Sequence, residues 1–422
     1  MAVYRKRVVD SELAQRLASS GAVLIEGPKA SGKTVTARHH SSSEVLLDVN
    51  QTARQSIEVD PHLVLAGKTP RLIDEWQLAP DLWNAVRREV DARGVKGQFI
   101  LTGSATPADD ITRHSGAGRF SRLRMRPMSL YESGESDGSV SLSALLTGHD
   151  ASAPQPDLEF KALVNAICRG GWPSLIGSSP GDARRANRDY LADIARTDIH
   201  TVDGIRRDPT RVSATLAALS RHVATEVKNS TITADASRRG DSDLPEERGT
   251  IAAYVDALER LLVVESQPAW APHLRSRSRV RSSHKFHFVD PSLAVAGLAA
   301  DPASLIADLN TLGLLFESLV VRDLRVYAQP LDADVRHYRD NTGLEVDAIV
   351  SAPGLQWIAC EVKLSSAAKV VDEAAANLLK FSEVVDHTKT GPAAALVVIT
   401  ATGYAYRRKD GVNVVPIGAL GP

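Results

Sequence analysis

The chain has 422 residues, 43% hydrophobic and 24% charged, with a formal net charge of -1. That length exceeds what one hydrophobic core usually spans, so two or three domains are expected. The near-neutral charge excludes a chain that coats nucleic acid along its whole length, while leaving room for a local basic patch. Cys168 and Cys360 lie far apart in apolar settings and suggest neither a disulfide framework nor a zinc site. The N-terminus, MAVYRKRVVD, lacks a signal-type apolar core, and no run approaches the roughly 18 apolar residues of a membrane span. A cytoplasmic protein with no membrane association is expected.

In residues 22–38, AVLIEGPKASGKTVTAR, an apolar strand precedes Gly27-Pro28-Lys29-Ala30-Ser31-Gly32-Lys33-Thr34 and a helix-compatible run follows it. That context fits a phosphate-binding loop, whose glycines let backbone N–H groups curl around phosphate oxygens at a helix N-terminus. ATP and Mg²⁺ are the expected ligands, with Lys33 on the β- and γ-phosphates and Thr34 on the metal. The strand RLIDEWQ then presents Asp74 as a second metal group and Glu75 as the residue that polarises water. A third strand, QFILTGSAT, ends in Thr102 and Ser104, candidate γ-phosphate sensors at the ligand-binding end of an open sheet, although a plain turn explains them equally.

Arg119, Arg122, Arg124 and Arg126 follow in GAGRFSRLRMRPMSLYE. Arg119 is the candidate arginine finger, in cis or from a neighbouring subunit, the latter implying a homo-oligomer. A solvated basic strand accounts equally well for any one of them. Domain boundaries are expected at 1–135 for the P-loop ATPase domain, 136–158 for a Ser/Gly/Asp-rich linker or lid, 159–300 for a helical and winged-helix domain, and 301–422 for a C-terminal domain.

In the middle region, GTIAAYVDALERLLVVES reads as an amphipathic helix running into a strand, and RSRSRVRSSHKFHFVD follows. Arg275, Arg277, Arg279 and Arg281 would project from one face of an extended hairpin, as a wing does against phosphates, so nucleic acid, DNA first, is the expected partner. A charged edge that discourages strand aggregation is the competing reading.

Further on, Glu317 lies beside apolar positions of a helix over 308–328, and EVDAIV and WIACEVK read as two strands of a hairpin. Period-two alternation places Glu345 and Asp347 on one face and Glu361 and Lys363 on the matching face of the second strand. A solvated face with cross-strand ion pairs is the bland account.

The order helix with Glu, strand with Asp, strand with Glu-x-Lys, helix, strand resembles the PD-(D/E)xK nuclease superfamily. The resemblance implies that Asp347 and Glu361 bind magnesium, that Glu317 joins them, and that Lys363 orients the attacking water or stabilises the phosphate. LIEGPKASGKT, LIDEWQ, ILTGS, RPMSLYE, RGGWP and the EVDAIV/CEVK pair resemble bacterial and archaeal AAA-class ATPases followed by a C-terminal domain of unknown function. The expected fold is therefore α/β: a parallel-sheet P-loop NTPase domain, a winged-helix middle domain and a C-terminal α/β nuclease-like domain. Three functions compete: an ATPase coupled to DNA binding and metal-dependent cleavage, a nucleotide-gated DNA-binding regulator on a non-catalytic nuclease scaffold, and a signalling ATPase that binds a protein.

Overall fold

The apolar run after α1 (Val9–Ser19) has the alternation of a strand buried on both faces, and it forms β1 (Ala22–Glu26). Val23 and Ile25 pack in one core layer with Leu13 of α1, while Ala22 and Leu24 face the other layer. With β2 (Ser43–Leu46), β3 (Arg71–Asp74), β4 (Phe99–Gly103) and β5 (Phe120–Arg124) it builds a parallel sheet in the order β2-β3-β4-β1-β5. All these strands end on the same edge, so the loop after β1, the end of β3 and the end of β4 lie together. The computed structural model describes residues 4–103, 116–237, 248–271, 284–354 and 356–422.

The segment expected as a linker is instead part of the core. Val140–Ser141 pairs in parallel with Leu420–Gly421 near the end of the chain, and Leu142, Leu145, Leu146 and Leu158 are buried. The amide of Ala151 donates to Asn413 Oδ1 at 2.9 Å, and Ser136 Oγ donates to the Leu420 carbonyl at 2.7 Å. Apolar residues spaced among Ser and Gly outweigh the loop-like composition once a sheet is there to receive them.

The middle region contains α2 (Phe160–Arg169), α3 (Pro180–Asp193), α4 (Pro209–Arg221), α5 (Asn229–Ser237) and α6 (Arg248–Arg260). After it come β6 (Val264–Gln267) and β7 (Lys285–Phe288), an antiparallel pair, and α7 (Pro291–Gly297). Arg275, Arg277, Arg279 and Arg281, between β6 and β7, lie outside the described residues. Residues 194–198 after α3 form a π-helical turn, which shifts the register of the side chains that follow.

The C-terminal region opens with α8 (Leu309–Ala328), a helix of 20 residues that is buried over most of its length. A six-stranded mixed sheet follows, built from β8 (Asp334–Arg339), β9 (Glu345–Ser351), β10 (Trp357–Lys363), β11 (Ala393–Thr400), β12 (Tyr406–Arg407) and β13 (Asn413–Pro416), in the order β12-β13-β11-β10-β9-β8. α8 covers one face and α9 (Ala368–Val384) the other. No helix among the described residues is long and apolar enough to cross a membrane.

The first and middle regions meet where RPMSLYE faces RGGWP. The Met128 amide donates to the Gly171 carbonyl at 2.7 Å, and a Cβ on Gly171 would fall 1.9 Å from the Met128 carbonyl oxygen, so only glycine allows that approach. Ser129 and Glu132 cap the short helix Leu130–Ser133 reciprocally. Glu132 also accepts from Arg7 Nε at 3.0 Å and from the Val8 amide at 2.8 Å, with both side chains almost fully covered. Glu132→Ala leaves the Arg7 guanidinium buried without its counter-charge, an expected loss of about 3–5 kcal/mol. A lowered urea midpoint, partly recovered in Glu132→Gln, is the measurement.

Candidate functional site

The loop after β1 has backbone demands that its sequence meets. A Cβ on Gly27 would lie 2.1 Å from the Met125 carbonyl oxygen, and Gly32 adopts a φ of 98° at the start of the helix Lys33–His39. Ala30 is also left-handed, at φ 60°. Ser31 is fully buried, and its Oγ donates to the Pro28 carbonyl at 2.9 Å. Lys33 Nζ reaches back to the carbonyls of Gly27 and Pro28 at 2.9 and 2.8 Å, inside a cavity of about 740 Å³ that Thr34 and Glu75 also line.

Thr34 Oγ1 donates to Asp74 Oδ1 at 2.9 Å, and Thr102 donates to the same oxygen. The strand order explains that meeting, because β4 lies between β1 and β3 and brings Thr102 between the loop and Asp74. Ser104 lies outside the described residues. Glu75 stands just beyond β3 at φ 55°, with its carboxylate held by the Gln77 side-chain amide. The hydroxyl of Thr34 and the carboxylate of Asp74 are hard oxygen donors beside a nest of loop amides, and they fit a magnesium ion that keeps most of its waters. Burial pushes the Lys33 ammonium down to about 8, against the opposing pull of Glu75 and Asp74.

For the candidate finger, the geometry bears on the reading in cis alone. The Arg119 carbonyl accepts from the Ala22 amide at the amino end of β1, whereas the phosphate loop leaves the carboxyl end, about 15 Å along the strand. Arg119 is exposed and pairs with Asp91 at 2.8 Å, so it does not serve its own loop. Parallel pairing of β5 with β1 requires this, since whatever precedes β5 must lie at the far edge.

Residues not singled out in the sequence reach the loop instead. Arg7 donates to the Ser31 carbonyl at 2.9 Å, and its neighbour Arg5 lines the cavity. Lys29 pairs with Asp198 of the π-helical turn at 2.5 Å, and Tyr190 Oη donates to the Lys29 carbonyl at 3.2 Å. Pro173 and Ser174 line the same cavity, so the middle region forms part of its wall. The basic run at residues 5–7 was the one available signal, and nothing local marked Asp198.

The second cluster forms where the hairpin reading expects it, but it is not solvated. β9 and β10 pair antiparallel from Ser351↔Trp357 to Ala348↔Cys360, and Asp347 and Glu361 flank the last of these pairs. Glu317, Asp347 and Glu361 are each at most 9% exposed. Lys363 Nζ lies 2.6 Å from Glu361 and 3.7 Å from Asp347, whose other contact at that oxygen is the Val362 amide at 2.8 Å. Asn377 Nδ2 of α9 donates to Glu361 Oε1 at 2.8 Å.

A further member comes from the middle region. Lys285 of β7 lies 2.9 Å from Glu317, 2.8 Å from Glu345 and 3.8 Å from Asp347, with its side chain 3% exposed. Burial and the Asp347 charge push Glu317 and Glu361 up, while the surrounding carboxylates hold Lys285 in its charged form. Among the described residues no group of three or more His, Cys, Asp or Glu side chains is arranged to hold a metal ion. The donor set is hard enough for magnesium, but an ammonium stands among its oxygens, and the arrangement does not fit the metal that the resemblance implies.

The fold and the loop define the N-terminal part as a P-loop ATPase domain, and residues 19–134 match the AAA domain family. Residues 160–304 and 312–420 match two domains of unknown function, DUF8612 and DUF4143. The chain is 24% identical over 369 residues to the uncharacterized protein Rv2008c of Mycobacterium tuberculosis and to Mb2031c of Mycobacterium bovis, covering 86% of this chain and 75% of each relative. The Walker-type ATPase PABY2304 of Pyrococcus abyssi aligns at TM-score 0.42 and 14% identity, over 68% of this chain and 94% of that one.

Two predictions come from these geometries. Because Lys33 loses its proton as pH rises through about 8, ATP affinity should weaken about tenfold between pH 7 and pH 9, where a lysine at its ordinary value would change little. Calorimetric titration across that range reads it, and a flat profile contradicts the buried ammonium. In the second cluster, Lys285→Met should expose the carboxylates to a new counter-ion, so Mn²⁺ should raise the melting temperature of the variant and leave that of the wild type unmoved.

Proposed function

We propose that this chain is an ATP-hydrolysing switch whose C-terminal nuclease-like domain is a scaffold and not a metal-dependent cutter. The ATPase half rests on the chain of contacts from Thr34 to Asp74 to Thr102, which lies beside the Lys33 ammonium in one cavity. In the reaction, Lys33 neutralises charge on the β- and γ-phosphates. Thr34 and Asp74 would hold magnesium, which would supply charge screening of the phosphate oxygens. Glu75, freed from the Gln77 amide, orients the attacking water and takes its proton.

The nucleotide's state has a route out of the first domain. A phosphate seated on the loop competes with Asp198 for Lys29 and with the Ser31 carbonyl for Arg7, contacts that join the loop to the middle region and to the Glu132 cap. Lys285 favours the scaffold over the cutter, because its ammonium takes the place among Glu317, Glu345 and Asp347 that a divalent ion would need. The basic stretch Arg275 to Arg281, between the two strands of an antiparallel pair, supports a nucleic-acid partner for the middle region.

Lys33→Ala and Glu75→Gln should each lower steady-state ATP hydrolysis by about 10²-fold or more, and Glu75→Gln should still bind ATP. Incubation of the wild type with DNA and Mn²⁺ should give no cleavage. Cleavage abolished by both Asp347→Ala and Lys363→Ala would return the metal-dependent reading. If the arginine stretch contacts phosphates, neutralising all four arginines should reduce the salt slope of DNA binding by about 3–4. An unchanged slope removes the nucleic-acid assignment.

A further inference from the structure

A second cleft, of about 530 Å³, opens between β5, the end of β6 and α8, on the far side of residues 125–126 from the nucleotide cavity. Three arginines there share one carboxylate. Arg124 Nη2 lies 2.8 Å from Glu265 Oε1, Arg126 Nε 3.0 Å from the same oxygen, and Arg325 Nη1 2.6 Å from Oε2. The other acids of the rim have partners of their own: Glu12 is paired with Arg16, Glu259 accepts from Ser266, and Asp334 is paired with Arg336, while Asp332 lies in an exposed turn. At the floor the three guanidiniums outnumber Glu265 by two charges, while Glu259, which accepts from a neutral hydroxyl, and the exposed Asp332 place two negative charges at the rim.

Three guanidiniums crowded on one buried carboxylate repel one another, and an anion placed beside them relieves that repulsion. Two details point the same way. The Nε–H of Arg124 is buried and has no acceptor among the described residues, and a buried donor left unpaired is uncommon without a ligand to meet it. Gln329, which accepts from Arg126 at 3.0 Å and donates to the Arg124 carbonyl at 2.7 Å, fixes both arginines from behind. Guanidinium forks held in this way match the geometry of phosphate oxygens.

We propose that this cleft is an anion site for a phosphate group, carried by a small phosphorylated ligand and bound by Arg124, Arg126 and Arg325. It is separate from the phosphate loop and wired to it. The Met125 amide donates to the Glu26 carbonyl at 2.7 Å, the Met125 carbonyl faces Gly27, and the Arg126 carbonyl accepts from Arg7 at 2.8 Å. Occupancy of the cleft would thus bear on the loop through two residues of main chain.

The test uses the full chain carrying Lys33→Ala, which disables the loop, so the outcome does not depend on whether the protein hydrolyses ATP. Calorimetric titration with inorganic pyrophosphate should show one saturable site. That site should weaken by about tenfold or more when Arg124→Gln is added, and it should be unmoved by Arg119→Gln on the opposite edge of the sheet. Should Arg124→Gln fail to fold by far-UV circular dichroism, Arg124→Lys keeps the charge but removes the fork, and an intermediate loss is expected. A short single-stranded oligonucleotide that displaces pyrophosphate and binds more tightly would assign the same site to a phosphodiester strand. Absence of saturable pyrophosphate binding, or equal binding with and without the Arg124 substitutions, overturns the proposal.

Discussion

Arg322 and Asp323 stand side by side on α8, both essentially inaccessible to water, and the rest of the molecule is organised around that burial. Arg322 reaches Asp290 at 2.8 Å, whose carboxylate also accepts from the Gly171 amide at 2.9 Å. Asp323 accepts from the Leu130 amide at 3.1 Å. One pair of adjacent residues therefore binds the C-terminal region to the middle region on one side and to the end of the ATPase domain on the other. Six residues earlier in α8, Glu317 takes Lys285, and two residues after Asp323, Arg325 takes Glu265. Buried ion pairs add little net stability compared with apolar packing, yet each is expensive to break singly. A helix that carries three of them to its neighbours holds those neighbours in one relative arrangement, which a smooth apolar face would not do.

The same electrostatic logic governs the carboxylate cluster. Four carboxylates, Glu317, Glu345, Asp347 and Glu361, cannot all stay ionised in a covered site without counter-charge. A nuclease would meet that need with a divalent ion; here Lys285 and Lys363 meet it with ammonium groups supplied by the chain. The substitution is not chemically neutral. A divalent ion withdraws electron density from bound water and can be exchanged, whereas an ammonium donates hydrogen bonds, lacks open coordination positions and is tethered to β7. Tethering also means that the cluster is complete only when the middle and C-terminal regions are docked. Lys285 thus links the carboxylate cluster of the C-terminal region to β7 of the middle region.

The features legible in the sequence were those set by short-range constraints. Gly27 to Thr34 could be read because the backbone there tolerates only certain residues, and the meeting of Asp347 with Lys363 could be read because a strand alternates with period two. The burial of that face could not, since it depends on α8 and β7 arriving from elsewhere. Lys285 was legible only as one basic residue in KFHF, because its role comes from partners 32, 60 and 62 positions away. Residues 136–158 misled because composition was weighed above the spacing of Val140, Leu142, Leu145 and Leu146, which a partner strand from the C-terminus converts into core. The reading of Arg119 as a finger in cis could have been set aside from the sequence, for the direction of β5 in a parallel sheet already fixes which of its ends meets the loop.

What joins the two charged centres is distance along one short piece of backbone. Residues 124–126 leave β5 with side chains committed to Glu265 and Gln329 and main chain committed to Glu26 and Arg7. Arg7 in turn is shared between the Ser31 carbonyl and Glu132, which caps the helix that delivers Leu130 to Asp323. A change at the phosphate loop that displaces Arg7 therefore cannot be absorbed locally, since Arg7 is also a partner in a buried pair. Close-packed interiors respond to such displacement by switching between arrangements and not by yielding gradually. An ATPase domain wired in this way to α8 is suited to changing how the regions dock, and docking is the condition under which Lys285 closes the carboxylate cluster.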